Sequence, residues 1–295
     1  MTGAVSQFFV DMAPAAGFGR DEPDGTQTLD DTLKTDLMRV AHLVADAARP
    51  ETLRLFRSPG LTADDKGSGL FDPVTAADRA AEAAMRDVLQ RERPDDGILG
   101  EEMGTKAGTS GLTWVLDPID GTRGYLCGTP TWGVLVSVAD ATGPLFGLID
   151  QPYTKERFIG GFGVSELRGP HGVRALGTRP SRPLEQSIVL TTFPEIGSKI
   201  EGRAFHTLAD RMKLTRYGMD CYGYALLAAG QVDLVIEAGL QPYDVHAPIC
   251  VIQAAGGIVS NWQGGAAHHG GRVIAAANRD IHAVALSVLQ DAIDA

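Results

Sequence analysis

Three cysteines in 295 residues leave no basis for a disulfide framework. Cys127, Cys221 and Cys250 lie far apart, form no CxxC pair and match no zinc-ligand spacing. They read as small apolar side chains in a reduced, cytoplasmic setting. Long hydrophobic runs are missing too. No stretch approaches the roughly 18 apolar residues that span a bilayer. Residues 1–7 lack a basic segment leading into an apolar core, so neither a membrane span nor a secretory signal is expected. Positive charge is scarce: 26 lysines and arginines face 37 aspartates and glutamates, a net charge of −11. That balance argues against general affinity for nucleic acid or anionic membranes. It leaves room for a small anionic substrate, because a bound cation inverts the local field.

Apolar residues make up 44% of the chain, enough for a core in one large domain or two tightly packed halves. The first 32 residues show no periodicity and are rich in Gly, Pro and Asp from 13 to 31. They read as a poorly ordered extension, with a tail that packs on a partner subunit as the alternative. Helical spacing of Leu33, Leu37, Val40, Leu43, Val44 and Ala47 predicts a helix over 33–48, and a second follows over 76–91. Short strands are predicted at 113–116, 133–139, 145–150, 156–160 and 187–191. The later half alternates: a helix near 221–230, a strand at 232–236, a helix after Asp244, strands near 257–260 and 272–276, and a helix over 280–293. Strand-rich followed by alternating α and β predicts a layered α/β architecture.

Chemistry is carried by four acidic places beside turn or helix-start signals. The central one is Trp114-Val115-Leu116-Asp117-Pro118-Ile119-Asp120-Gly121-Thr122. An apolar strand ends in two carboxylates, which suit a hard divalent cation. The Gly-Thr turn that follows opens a helix whose N–H groups suit phosphate. The others are Asp72-Pro73-Val74-Thr75-Ala76-Ala77-Asp78, Gly100-Glu101-Glu102 and Pro242-Tyr243-Asp244. Each has a local alternative: a capping box at Thr75/Asp78, a solvated acidic loop at 101–102, and helix N-caps at the central aspartates and at Asp244. Taken together they favour a shared site. Several ionised carboxylates gather in one cleft only if their pKa values rise or divalent metal neutralises them, and metals on such ligands support phosphate-ester hydrolysis.

In content, order and spacing these four blocks resemble the inositol monophosphatase superfamily of Mg²⁺-dependent phosphatases, over about residues 35–290. The resemblance implies an α/β fold built as a layered α-β-α-β-α sandwich. A mixed or antiparallel sheet would lie in the N-terminal half (about 33–183) and an α/β arrangement in the C-terminal half (184–295), with the active site between them. It implies two or three Mg²⁺ ions per site, held by Glu101, Asp117, the Ile119 carbonyl, Asp120 and Asp244. Thr122, held by Asp78 or Glu101, would orient the attacking water, and the N–H groups of Gly121 and Thr122 would bind phosphate. It also implies a homodimer. Lys66, in a Gly-rich loop, stands where the superfamily often carries a flap lysine; a solvated surface lysine is the alternative.

Substrate choice is read from the rim, where Glu237 and Asp220 would join Asp120 and Asp244 in contacting substrate. Two extra acids favour a cationic organic group over a neutral polyol, with a helix N-cap as the alternative for Asp220. The segments 147–157, 220–230 and 237–244 look like the histidinol-phosphate phosphatase branch, and Tyr243 stands where inositol-type members usually have tryptophan. The expected reaction is hydrolysis of L-histidinol phosphate in histidine biosynthesis by metal-activated water. Inositol 1-phosphate or a sugar phosphate is the alternative substrate, and a non-catalytic, metal-dependent phosphate sensor the alternative class. His246 departs from the branch pattern; it either reaches the substrate or sits exposed at a helix start. His268 and His269, in the Gly264–Gly271 loop, read as a solvated turn.

Overall fold

The computed structural model describes residues 29–59, 61–65 and 73–294. Lys66, Asp72 and the extension up to residue 28 lie outside them. Helix α1 (Asp31–Leu55) begins where the Asp30 side chain accepts from the Leu33 N–H at 2.7 Å. Leu37, Val40, Ala41, Val44, Ala45 and Ala48 form its buried stripe. The helix runs beyond the predicted end at 48 and through Pro50. Tertiary contacts hold that last stretch: Arg49 pairs with Asp150, and the Tyr125 hydroxyl donates to the Thr52 carbonyl at 2.6 Å. Helix α2 (Ala76–Glu92) starts in the capping box read from Thr75 and Asp78.

The first sheet contains β3 (Gly97–Gly100), β4 (Gly104–Lys106), β5 (Thr113–Asp120), β6 (Gly133–Asp140), β7 (Gly143–Gln151), β8 (Glu156–Gly161), β9 (Val164–Gly169) and β10 (Gly172–Ala175). Its order is β10-β9-β8-β7-β6-β5-β3-β4, antiparallel except for the parallel β3/β5 pair. A short pair, β1 (Ala63–Asp65) and β2 (Pro73–Thr75), stands apart. The second sheet has β11 (Ile188–Thr191), β12 (Leu214–Tyr217), β13 (Leu234–Leu240), β14 (Ile258–Asn261) and β15 (Gly271–Ala276), in the order β12-β11-β13-β15-β14. Here β12, β11 and β13 run parallel and β15 antiparallel to its neighbours. The remaining helices are α3 (Thr122–Cys127), α4 (Lys199–Ala209), α5 (Asp220–Ala228), α6 (Pro242–Ala254) and α7 (Arg279–Asp294).

Three apolar clusters define five layers. One joins α1 and α2 to the first sheet. The middle one packs α5 and α6 between the sheets, combining Leu135, Ile149 and Phe158 with Leu190, Val235 and Ala275. The last closes α4 and α7 over the second sheet. The expected α-β-α-β-α sandwich, with two mixed sheets, is the observed fold. Among the described residues no helix is long and apolar enough to cross a membrane.

One irregularity positions the site. The strand predicted at 113–116 continues to Asp120, and its pairing with β6 shifts between Asp117 and Asp120. Residues three apart on a regular strand face opposite sides. The bulge, at the N–H-less Pro118, lets both aspartates face one cavity.

Candidate active site

A cavity of about 370 Å³ opens where the end of β5, the starts of α3, α5 and α6, and the end of β13 converge. Glu101, Asp117, Ile119, Asp120, Gly121, Thr122, Asp220, Glu237 and Asp244 all line it, so the structure gathers nine of the ten candidate site residues around one cavity. The tenth, Asp78, is buried behind Thr122, whose hydroxyl lies 3.4 Å from Asp78 Oδ1 and 3.2 Å from the Ile119 carbonyl. Asp78 closes the capping box and reaches Thr122 at once. Its Oδ2 accepts from the Thr75 N–H and hydroxyl at 2.8 and 2.6 Å, closing the capping box, while Oδ1 faces Thr122.

Carboxylate oxygens of Asp117, Asp120 and Asp244 lie within 4.8 Å of one another. Asp117 Oδ1 accepts from the Ile119 N–H at 3.0 Å, Asp120 Oδ2 from the Cys221 N–H at 2.6 Å, and Asp244 Oδ2 from the Gln241 N–H at 2.6 Å. These bonds aim the carboxylates without neutralising them. Burial, reinforced by Glu101, Asp120 and Asp244, raises the Asp117 pKa well above the usual range. Burial, with Asp220 next, pushes Asp120 up to about 8. Crowded acids of this kind hold protons until a cation takes their place. Three oxygen donors with more carboxylate beside them suit Mg²⁺ rather than a soft metal, so the donor set fits the group the resemblance implies.

The helix-cap alternatives are corrected by the geometry. Asp120 closes β5, and Gly121 is the N-cap of α3, with φ +89°. Asp220 is the first residue of α5 rather than its cap, held at φ +45°, a left-handed conformation costly for a non-glycine residue. A Cβ on Gly121 would lie 2.7 Å from the Asp220 carboxyl carbon, so the glycine leaves room for the Asp220 side chain against this turn. Asp244 occupies the third helical position of α6, not its cap.

Elsewhere in the lining, Glu237 Oε1 accepts from the Thr192 N–H and hydroxyl at 2.6 and 2.9 Å, and Oε2 from the Thr191 hydroxyl at 3.2 Å. Burial still pushes Glu237 up to about 7. Asp220 rises to about 6 by burial, tempered by Thr131 and Arg123. Tyr243 lines the rim as well.

His246 follows neither expectation. It is buried, stands outside the cavity lining, and its Nε2 lies 2.9 Å from the His268 carbonyl. That bond pins the Gly-rich loop to α6, so His268 is half-buried while His269 remains exposed. The branch-like segment at 147–157 is also absent from the cavity lining. Its Asp150 and Arg157 tie the sheet to α1 instead.

Sequence reading missed several contributors. Glu82, one turn after Asp78 on α2, is fully buried and accepts from the Glu102 and Met103 N–H groups at 2.7 and 3.1 Å, fixing the turn that carries Glu101. A Cβ on Gly100 would collide with that Glu82 carboxylate. Thr192, Arg123, Phe193 and Tyr224 also line the cavity, with the Arg123 guanidinium 4.8 Å from the Phe193 ring centre. The i, i+4 spacing of Asp78 and Glu82 was the one readable signal among them.

The fold and site together define a layered α/β protein with a cluster of carboxylates lining one cavity. The model of the inositol monophosphatase family matches residues 34–294, and the chain belongs to that family of phosphatases. It is 39% identical over 274 residues to the bifunctional phosphatase IMPL2, chloroplastic, of Arabidopsis thaliana, covering 89% of this chain and 77% of that one. It is 33% identical over 258 residues to a histidinol-phosphatase of Streptomyces coelicolor, covering 84% and 94%. A solved inositol monophosphatase from Zymomonas mobilis superposes with a TM-score of 0.77 at 36% identity, covering 88% of this chain and all of that one.

Proposed function

We propose that this chain hydrolyses small phosphomonoesters with the help of Mg²⁺, and that L-histidinol phosphate is its substrate. The observation that carries the reading is a pair of acids, half-buried Asp220 and buried Glu237, lining the cavity with the Asp117, Asp120 and Asp244 cluster. A carboxylate pair there suits the ammonium and imidazole of histidinol better than a polyol. The Streptomyces coelicolor relative named histidinol-phosphatase supports the same substrate.

The residues present would hold metal through Glu101, Asp117, Asp120, Asp244 and the Ile119 carbonyl. Bound there, Mg²⁺ supplies charge neutralisation for the phosphate and a lowered pKa for water. The chain's own part is positioning. The Thr122 hydroxyl, backed by Asp78, orients the attacking water and passes its proton toward the carboxylate. The N–H groups of Gly121 and Thr122 hold the phosphate oxygens. As the water oxygen bonds to phosphorus, the bond to the alcohol oxygen breaks, and that oxygen takes a proton from solvent to leave as histidinol while the water's own proton returns from the carboxylate to solvent. Asp220 and Glu237 hold the organic half and fix the line of attack.

Hydrolysis of inositol 1-phosphate is the second reading, favoured by the likeness to the Zymomonas mobilis enzyme. We further propose that the segments 33–183 and 184–295 act as subdomains of one catalytic unit, that two copies form a homodimer, and that the protein works in the cytoplasm. Phosphate release from a panel of phosphomonoesters, with and without Mg²⁺, tests the reading. Inositol 1-phosphate turning over far faster than histidinol phosphate would sink the substrate assignment and leave the hydrolase. Turnover unaffected by chelation would sink the metal role.

A further inference from the structure

Helix α5 turns Asp220, Cys221 and Tyr224 toward the cavity, at spacings that share one helical face. Tyr224 is only 4% exposed, and its ring packs in the cluster between the two sheets. Its hydroxyl has no hydrogen-bond partner among the described residues. Buried tyrosine hydroxyls usually have one, because an unmet polar group in the interior is costly. Ser58, Trp132 and His246 also carry an unpaired buried polar atom, but none of those three lines the cavity.

The surroundings limit what the hydroxyl can serve. Glu237 already takes three hydrogen bonds from Thr191 and Thr192, so it does not depend on Tyr224 for its placement. Burial, with Glu237, Asp120 and Asp244 next in order, raises the phenol pKa far above its usual value. The group therefore stays protonated, with one O–H to give and lone pairs to offer. A phenol facing carboxylates complements a group that donates to both: an ammonium or an alcohol.

We propose that the Tyr224 hydroxyl is a specificity-determining contact, hydrogen-bonding the amine or hydroxyl on the organic half of the substrate beside Glu237. The assignment rests on the phosphatase reading above. It makes Tyr224 a residue that spends stability on recognition. The free protein carries an unsatisfied hydroxyl, and the substrate satisfies it.

Tyr224→Phe removes that oxygen and keeps the ring. Wild type and variant are compared with Mg²⁺ on L-histidinol phosphate and on phenyl phosphate, whose organic half has no amine or hydroxyl, and both are melted by circular dichroism. We expect KM for histidinol phosphate to rise about tenfold or more, with kcat and all phenyl phosphate constants within about twofold. The melting midpoint should hold or rise. An unchanged KM for histidinol phosphate overturns the proposal. So do equal losses on both substrates, or a lowered midpoint with parallel losses, which would make Tyr224 a packing residue. If wild type rejects histidinol phosphate but accepts inositol 1-phosphate, the substrate reading fails by itself. Tyr224 is then judged on that ester by the same selective tenfold criterion. Wild type inert on the whole panel ends both.

Discussion

Asp150→Asn should unfold this protein more easily without changing what it hydrolyses. Asp150 is fully buried, and its Oδ1 accepts from Arg49 Nη2 at 2.6 Å and from Arg157 Nε at 2.7 Å. Arg157, 9% exposed at its side chain, also reaches Asp46 at 2.7 Å and His42 Nδ1 at 2.9 Å. Burial and the Arg157 charge push His42 down to about 4, so its neutral ring can accept the Arg157 proton. The whole group ties α1 to β7 and β8. An asparagine removes the only fully buried charge between two guanidiniums and turns an N–H₂ toward one of them. Breaking a buried pair from one side costs about 3–5 kcal/mol, because the remaining charge is left uncompensated. For a chain of this size that corresponds to a midpoint lowered by roughly 6–20 °C. Urea unfolding and thermal melts supply the stability change, and the ratio of kcat/KM for histidinol phosphate to that for inositol 1-phosphate supplies the specificity. The ratio should stay constant, since none of these residues lines the cavity. Asp46→Asn is the control. Asp46 is 59% exposed, so its loss should cost only about 0–1 kcal/mol. A loss below about 1 kcal/mol for Asp150→Asn, or an altered ratio, would refute the reasoning.

The segment holding Asp150 also shows where the sequence stopped being readable. Residues 147–157 carry much of the likeness to the histidinol-phosphate phosphatase branch, yet they act through the scaffold. A motif reveals residue types and spacing; whether it faces a cavity or a helix depends on packing from distant elements. The acidic blocks were legible because each is local: a capping box, a strand end, a helix start. Glu82, Thr192, Arg123 and Tyr224 matter through approaches across the fold, and single-sequence periodicity contains no such information. Helix α4 was missed despite a readable capping box at Ser198 and Glu201, since its buried face is only Ala204, Phe205, Leu208 and Ala209. Strands β9 and β10 were missed for another reason. They close the edge of the first sheet, where β10 is exposed throughout and no buried face imprints an alternation. Extending β5 to Asp120 required knowing about the bulge, which exists only in register with β6.

Further tests address the site itself. Asp117→Asn should abolish turnover and weaken Mg²⁺ binding, read by calorimetry; undiminished hydrolysis would remove Asp117 from the site. Thr122→Ala should lower kcat by far more than it changes KM, as for an interaction made mainly in the transition state. Mg²⁺ should stabilise wild type against unfolding by about 2.7 kcal/mol at a hundred times its dissociation constant, and leave Asp117→Asn little changed. Glu237 gives a pH test whose sign follows from its burial. Its pKa rises from 4.5 to about 7 on folding, so the native state binds more protons than the unfolded chain between those values. Stability from this group is therefore complete below pH 4.5 and lost as pH climbs through 7. A shift of that size is worth about 3 kcal/mol. Glu237→Gln can keep an acceptor for Thr192 and has no charge to desolvate. Relative to wild type the variant should gain stability steadily from pH 4.5 to 7 and hold that gain above. A difference that stays flat across this window would mean that Glu237 is not the buried acid described here.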